Sequence, residues 1–326
     1  MSTSSTAPSD EERLSGYLSQ GPAFSNVLAP IRQKARNTLA RALESIRRGP
    51  VSIQVPPVVS RGGNWLYYWA RSATDRYNVE YEGLSPVHRL SYLKYSDGMD
   101  AWLREFPMLE SLTWYDDVSF SHHRTPVIPN YIAVNFSNDH FKHFVHTYLL
   151  SSYSFRQRLE RAQQDLSPDS VIVNIRRGDY YSVPDIKARY GIDTVTYVHR
   201  ALESLKQDMT PSEFVIISDD PTWCLENLVF LSEVAPIRVP AARLSMFDDL
   251  AYIAAAHTMI LTNTTFGYWG AYIADALRHT RVYVPNVHEY SPDRGEDIGI
   301  RDGRPFEHMQ HWKLIEPVET THWIAG

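Results

Sequence analysis

Only one cysteine, Cys224, occurs in the 326 residues. No intramolecular disulfide can form, and nothing in the chain requires an oxidising compartment. Long hydrophobic runs are also missing: the longest apolar stretch, around 250–261, is short and contains His257. That predicts no transmembrane helix. The first residues lack the basic-then-apolar pattern of a secretory signal, and the expected location is cytoplasmic. Positive charge is scarce as well. At a formal net charge of −6 the chain lacks the lysine and arginine excess that neutralises phosphates along a nucleic acid. A general polyanion binder is excluded, and any anion site must be local.

What is present is a globular composition, 43% hydrophobic and 21% charged, in a chain long enough for two ordinary domains. Residues 2–10, rich in Ser and Thr, read as a disordered tail. Residues 11–48 read as helical, with Leu14, Leu18, Val27, Ile31, Leu39, Leu43 and Ile46 at loosely helical spacing, interspersed with and followed by Arg32, Lys34, Arg36, Arg41, Arg47 and Arg48. The basic balance permits weak peripheral contact with anionic lipid, against the plainer reading of a solvated helix face. The expected division is 1–50 as tail and helical extension, 51–165 as a first α/β domain, and 166–326 as a second.

The first of these domains opens on an alternating strand, Val51, Ile53 and Val55. It then mixes helices expected at 64–77, 86–105 and 138–165 with short strand-like pieces such as 130–134. From 171 onward the pattern is regular. Apolar runs at 171–175, 214–217, 237–239, 258–262 and 282–284 alternate with helical stretches at 194–207, from Pro221, at 246–256 and at about 266–278. Short apolar strands alternating with helices predict a doubly wound parallel sheet covered on both faces, a Rossmann-like fold of α/β class.

In such sheets ligands bind beyond the carboxyl ends of the strands, and the residues just after each strand are the first candidates. Strand 171–175 runs into Arg176, Arg177, Gly178 and Asp179; strand 214–217 into Ser218, Asp219 and Asp220; strand 258–262 into Asn263, Thr264, Thr265 and Phe266. Adjacent guanidiniums can grip a diphosphate by forked hydrogen bonds, or one of them can pair with Asp179 or another acid. The segment 263–270 offers hydroxyls and free N–H groups where a strand turns into a helix, an anion-receptive arrangement, although one threonine alone can be a helix cap. Gly62, Gly63 and Asn64 also precede a helical pattern and let backbone approach a ligand closely.

Taken together these clusters resemble the motifs of the α-1,2-fucosyltransferases, glycosyltransferase family 11. The family pattern His-x-Arg-Arg-Gly-Asp-Tyr is matched by Asn174-Ile175-Arg176-Arg177-Gly178-Asp179-Tyr180. A second pattern is matched by Phe214 to Asp220 followed by Trp223-Cys224. A third is matched by Asp248-Asp249-Leu250-Ala251, His257 to Ile260, and Asn263 to Tyr272. The N-terminal signature Gly-x-Leu-Gly-Asn survives in altered form as Ser60-Arg61-Gly62-Gly63-Asn64, with Tyr67, Trp69 and Ala70 after it. The resemblance spans residues 58 to about 290.

The resemblance implies a GT-B-like fold of two Rossmann-like domains. It also implies GDP-β-L-fucose as donor and inverting transfer of fucose to a glycan acceptor, typically O2 of a galactose. Transfer of another GDP-sugar, or a catalytically inactive nucleotide-sugar-binding protein, is the alternative. Carried over, Arg176 holds the β-phosphate with Arg177 in support. Gly63 and Asn64 approach the diphosphate from the other domain, Thr264 and Thr265 bind phosphate oxygens, and Asp219 and Asp220 lie near the nucleoside. Asp179 is the candidate general base or a brace for the arginines. Asn174 stands where the family has histidine, and an amide replaces a hydrogen bond but not a proton transfer.

No cofactor or metal is expected. No Asp-x-Asp triplet occurs, and arginine with a helix terminus can do a metal's work under a diphosphate. His140, His143 and His146 are spaced by three rather than paired on one face as in a zinc helix. Cys224, at a helix start, lacks a partner histidine for covalent chemistry. Trp65, Trp69, Trp114, Tyr180 and Trp269 are candidates for an acceptor groove, set against the usual fate of aromatics in a core.

Overall fold

The computed structural model describes residues 51–57, 60–74, 87–92, 97–118, 123–125, 136–241, 243–290, 297–298, 300–301 and 303–316. All of them fall within one compact unit, Pro50–Gly326. The expected tail and helix over 2–48 and the strand-like piece at 130–134 lie outside the described residues.

Two parallel sheets follow one another along the chain. The first has the order β3-β2-β1-β4 and the second β14-β9-β8-β5-β6-β7. In the first, β1 (Val51–Gln54) pairs in parallel with β2 (Val87–Ser91) and with β4 (His123–Thr125), and β2 pairs with β3 (Thr113–Trp114). Helix α1 (Gly62–Ala73) packs on it, with its aromatic residues Trp65, Tyr67, Tyr68 and Trp69 buried. The helix expected over 86–105 is instead strand β2 and then α2 (Asp97–Glu105). Leu90 is buried and Arg89 only partly so, an alternation too short to separate a strand from a helix by period alone.

The helix expected at 138–165 also divides. Helix α3 (Asn138–Phe144) passes into a π-helical turn at Val145–Leu149, where the N–H of Leu150 donates to the carbonyl of Val145 at 2.8 Å. A new helix, α4 (Tyr153–Asp165), then starts on Ser152, whose hydroxyl accepts the N–H of Phe155 at 3.2 Å.

The second sheet is built as its pattern predicts. Every residue of β5 (Ser170–Ile175) is buried, and β6 (Glu213–Ser218), β8 (Thr258–Leu261) and β9 (Arg281–Pro285) are nearly so. Alternate residues feed two separate cores. Ile172, Val215, Ile217, Met259 and Leu261 pack beneath α4, α9 (Met246–Ala255) and α10 (Thr265–Leu277). Val171, Val173, Phe214, Ile216 and Ile260 pack on the opposite face beneath α7 (Thr194–Asp208) and α8 (Pro221–Asn227). Two short helices, α5 (Gly178–Ser182) and α6 (Pro184–Tyr190), follow β5 directly. Beyond β9 come the short strands β10 (Glu289–Tyr290), β11 (Asp297–Ile298), β12 (Ile300–Arg301) and β13 (Arg304–Pro305), and then β14 (Lys313–Ile315) closes one edge.

The strand order fixes where a ligand can enter. From β5 the chain builds outward through β6 to β7 (Ile237–Arg238), then returns to the other flank of β5 and builds outward through β8, β9 and β14. The reversal lies between β5 and β8, and the loops after those two strands diverge there.

Candidate functional site

The loop after β5 carries Arg176 and the loop after β8 carries Asn263 to Thr265, so the switch point collects the residues singled out in the sequence. The N–H of Arg176 donates to Thr262 Oγ1 at 3.1 Å, which ties the two loops together. The Arg176 guanidinium is held by two carboxylates: Nη2 meets Asp179 Oδ1 at 2.8 Å and Nη1 meets Asp219 Oδ2 at 2.9 Å. Burial works to lower its pKa, but the charges of Asp219 and Asp179 outweigh that and leave it above the ordinary arginine value. The cation is therefore permanent, oriented, and 40% exposed in its side chain.

Asp219 is the hub of this corner. Its Oδ1 accepts the N–H of Arg177 at 2.8 Å while its Oδ2 holds Arg176. Asp220 does a different job: its carboxylate accepts the N–H of Trp223 at 3.1 Å and caps α8. Asn263 is buried and donates through Nδ2 to the carbonyls of Tyr190 and His288, at 2.9 Å each, so it binds neighbouring loops together. Thr264 occupies the N-cap of α10 without a side-chain cap bond, and the helix leaves its first-turn N–H groups pointing out of its start. A first turn of this kind favours negative charge.

Two close approaches seat α10. A β-carbon on Gly267 would stand 2.6 Å from Asn174 Oδ1, and one on Gly63 would stand 2.8 Å from the backbone nitrogen of Phe266 and overlap Thr265 Oγ1. Glycine at 63 thus lets the start of α1 lie directly on the start of α10, and the indole N–H of Trp269 fixes the contact by donating to the Gly63 carbonyl at 2.8 Å. Gly62 lies against Trp102, and Asn64 is half-buried on the first turn of α1. Asn174 is 5% exposed; its Nδ2 donates to the Ile217 carbonyl at 2.9 Å, and its Oδ1 has no partner.

The structure also brings Tyr180, an acceptor-groove candidate, together with residues that no sequence pattern indicated. Tyr180 stacks on Tyr190 with ring centres 5.0 Å apart. Behind them lie His288, Glu289, Glu307 and His308, all buried, with Arg189 ion-paired to Glu289. Burial pushes the Glu307 carboxyl up to about 8 and the His288 imidazole down to about 4. Three of the tryptophans considered for an acceptor groove, Trp65, Trp69 and Trp269, are core residues instead. Burial pushes the Cys224 thiol up to about 11, which removes it as an acidified nucleophile. His140 caps its own helix start through Ser137, and His146 contacts the Ala276 carbonyl. Among the described residues no group of three His, Cys, Asp or Glu side chains is arranged to hold a metal ion.

A doubly wound parallel sheet with two fixed guanidiniums and a helix start at its switch point defines an α/β protein of the Rossmann-like class. The model for glycosyl transferase family 11 matches residues 114–294, more than half of the chain. The chain belongs to that family. Among individual proteins it is similar to galactoside alpha-(1,2)-fucosyltransferase 1 of Saimiri sciureus, 27% identical over 134 residues that make up 41% of this chain and 36% of the relative. The same enzyme of Plecturocebus brunneus is 28% identical over 116 residues, 36% of this chain and 31% of the relative. The chain spans about a third of the length of the curated relatives it matches.

Solved structures give distant likenesses. POFUT1 in complex with GDP has 13% identity and a TM-score of 0.34, covering 76% of this chain and 78% of that one. A mutant of Arabidopsis thaliana FUT1 in complex with GDP has 10% identity and a TM-score of 0.35, covering 84% and 77%.

Proposed function

We propose that the protein is an inverting glycosyltransferase that moves L-fucose from GDP-β-L-fucose to a hydroxyl of a glycan acceptor, with O2 of a galactose as the expected position. The observation that carries this is Arg176: a permanently charged guanidinium at the switch point, oriented by Asp179 and Asp219 beside the open first turn of α10. Cleavage of the sugar–phosphate bond builds negative charge on the leaving diphosphate and positive charge on the fucose ring. A fixed cation and a helix start stabilise the former without needing to reorganise. Family membership, and the fucosyltransferase names of the relatives, support the choice of donor.

In this reading residues 166–326 form the donor side and 51–165 the acceptor side, meeting where Gly63 lies on Thr265. Asn174 favours carrying a second donor in the test, because its orphan Oδ1 keeps one acceptor but no proton where the family has histidine. The experiment is a panel of GDP-sugars with galactose-terminated acceptors, reading product and linkage. Fucose transfer at O2 supports the proposal; transfer from a different GDP-sugar, or no transfer and no donor hydrolysis, sinks it. The reaction is expected to run undiminished in EDTA, since the arginine and the helix start supply the charge; a strict divalent-metal requirement would count against that part.

A further inference from the structure

The two successive arginines after β5 are held in opposite ways. Arg176 is compensated by Asp179 and Asp219. Among the described residues no carboxylate pairs with the guanidinium of Arg177, although its backbone N–H donates to Asp219. Its two faces are covered instead: the carbon of the guanidinium lies 3.8 Å from the ring centre of Tyr181 and 3.8 Å from that of Trp223. Nε is buried and has no partner.

Both rings are themselves fixed. The hydroxyl of Tyr181 donates to the Ile192 carbonyl at 2.7 Å, and Trp223 sits in the first turn of α8, where Asp220 accepts its N–H. The guanidinium is thus clamped in one plane between two helices. Of its donors only those on Nη1 and Nη2 are left, and they lie in that plane, so an acceptor must approach edge-on. Asp179 and Asp219 are both engaged with Arg176. A diphosphate with two or more negative charges draws on a second cation, and among the described residues the Arg177 guanidinium has no carboxylate partner.

Resting on the GDP-sugar reading above, we propose that Tyr181 and Trp223 are positioning residues that clamp Arg177 so that its Nη edge meets the donor diphosphate. The aromatic pair replaces the carboxylates that orient Arg176. It gives a second guanidinium the same fixity without cancelling its charge.

The test is calorimetric titration of the full chain with GDP. Trp223→Leu should raise the Kd about tenfold, the effect of losing one desolvated cation–π face. Trp223→Phe, which restores a ring face, should recover most of the loss. In a double-mutant cycle Trp223→Leu should cost nothing further once Arg177→Ala is present, because the ring acts through the arginine. If Trp223→Leu does not fold, Tyr181→Leu enters the same cycle. Wild-type affinity in a folded Trp223→Leu protein, or losses that simply add to those of Arg177→Ala, would overturn the assignment while leaving the donor reading intact. A wild-type protein that does not bind GDP would overturn both.

Discussion

The side-chain oxygen of Asn174 stands where a β-carbon on Gly267 would come within 2.6 Å of it, so the end of the central strand β5 and the first turn of α10 leave no space for a methyl group between them. Gly267→Ala should therefore push α10 away from β5 and cost about 1–3 kcal/mol, the usual penalty of overpacking. Urea unfolding measures it. Combining Gly267→Ala with Asn174→Ala should cost less than the sum of the two single changes, because each removes part of the other's damage. Strict additivity would show that the contact is not tight.

Removal of the fixed cation should separate catalysis from folding. Arg176→Ala is expected to keep its unfolding midpoint within a few degrees and to lose about two to three orders of magnitude in transfer rate, the cost of one preorganised donor at developing charge. Retention of more than a tenth of the wild-type rate would remove Arg176 from its assigned role.

The carboxylates on either side of it should behave as braces. Asp219→Asn removes the charge that holds Nη1 and weakens the anchor of the Arg177 backbone, and it should slow transfer about tenfold, in keeping with a charge-assisted hydrogen bond. Asp179→Asn distinguishes a brace from a base. A brace lowers the rate at every pH and leaves the shape of the pH–rate profile unchanged. Loss of the limb on which rate rises with pH would make Asp179 the base.

Buried Glu307 and the buried histidines behind the loop make stability depend on pH. Glu307 titrates at 4.5 when unfolded and at about 8 when folded. Between those values the unfolded chain binds fewer protons, so stability falls as pH rises, by up to about 1.4 kcal/mol per unit. His288 titrates at 6.5 unfolded and about 4 folded, which gives the opposite slope below pH 6.5. Burial also lowers the His308 imidazole, so both histidines oppose Glu307 from pH 4.5 to 6.5, and from 6.5 to 8 the Glu307 effect remains. Urea midpoints should therefore decline from pH 6.5 to 8 in the wild type, and much less in Glu307→Gln.

Cys224 should be inert to thiol reagents in the native protein at pH 8, since its thiol is buried and titrates at about 11. Full reaction only after denaturation is the expected result; rapid native labelling would place the helix α8 start in solvent.

Much of the second sheet could be read from its residues because both faces are covered, which leaves β5, β6 and β8 as short unbroken apolar runs between turns. Once those strands are placed, so are Arg176 and Thr264 at their ends. Strand β2 was not legible, since Val-His-Arg-Leu-Ser has no apolar run and only a brief alternation. The break between α3 and α4 hid behind a continuous helical period, because the π turn changes the hydrogen bonding and not the composition. Within the site, the spacing of Arg177 gave no sign that it lies between rings from two helices, because that stack depends on strands β5 and β6 being neighbours. Asp219 and Asp220 looked alike in sequence; their division into arginine anchor and helix cap follows from one carboxylate pointing across the sheet and the other along α8.

The charges that follow β5 and β6 leave no positive excess before any ligand arrives: Arg176 and Arg177 stand against Asp179, Asp219 and Asp220. In a chain of net charge −6, such a corner casts no long-range field to draw in a nucleotide. Capture of the donor should be governed by collision and close-range fit, and its association rate should change little between dilute and physiological salt.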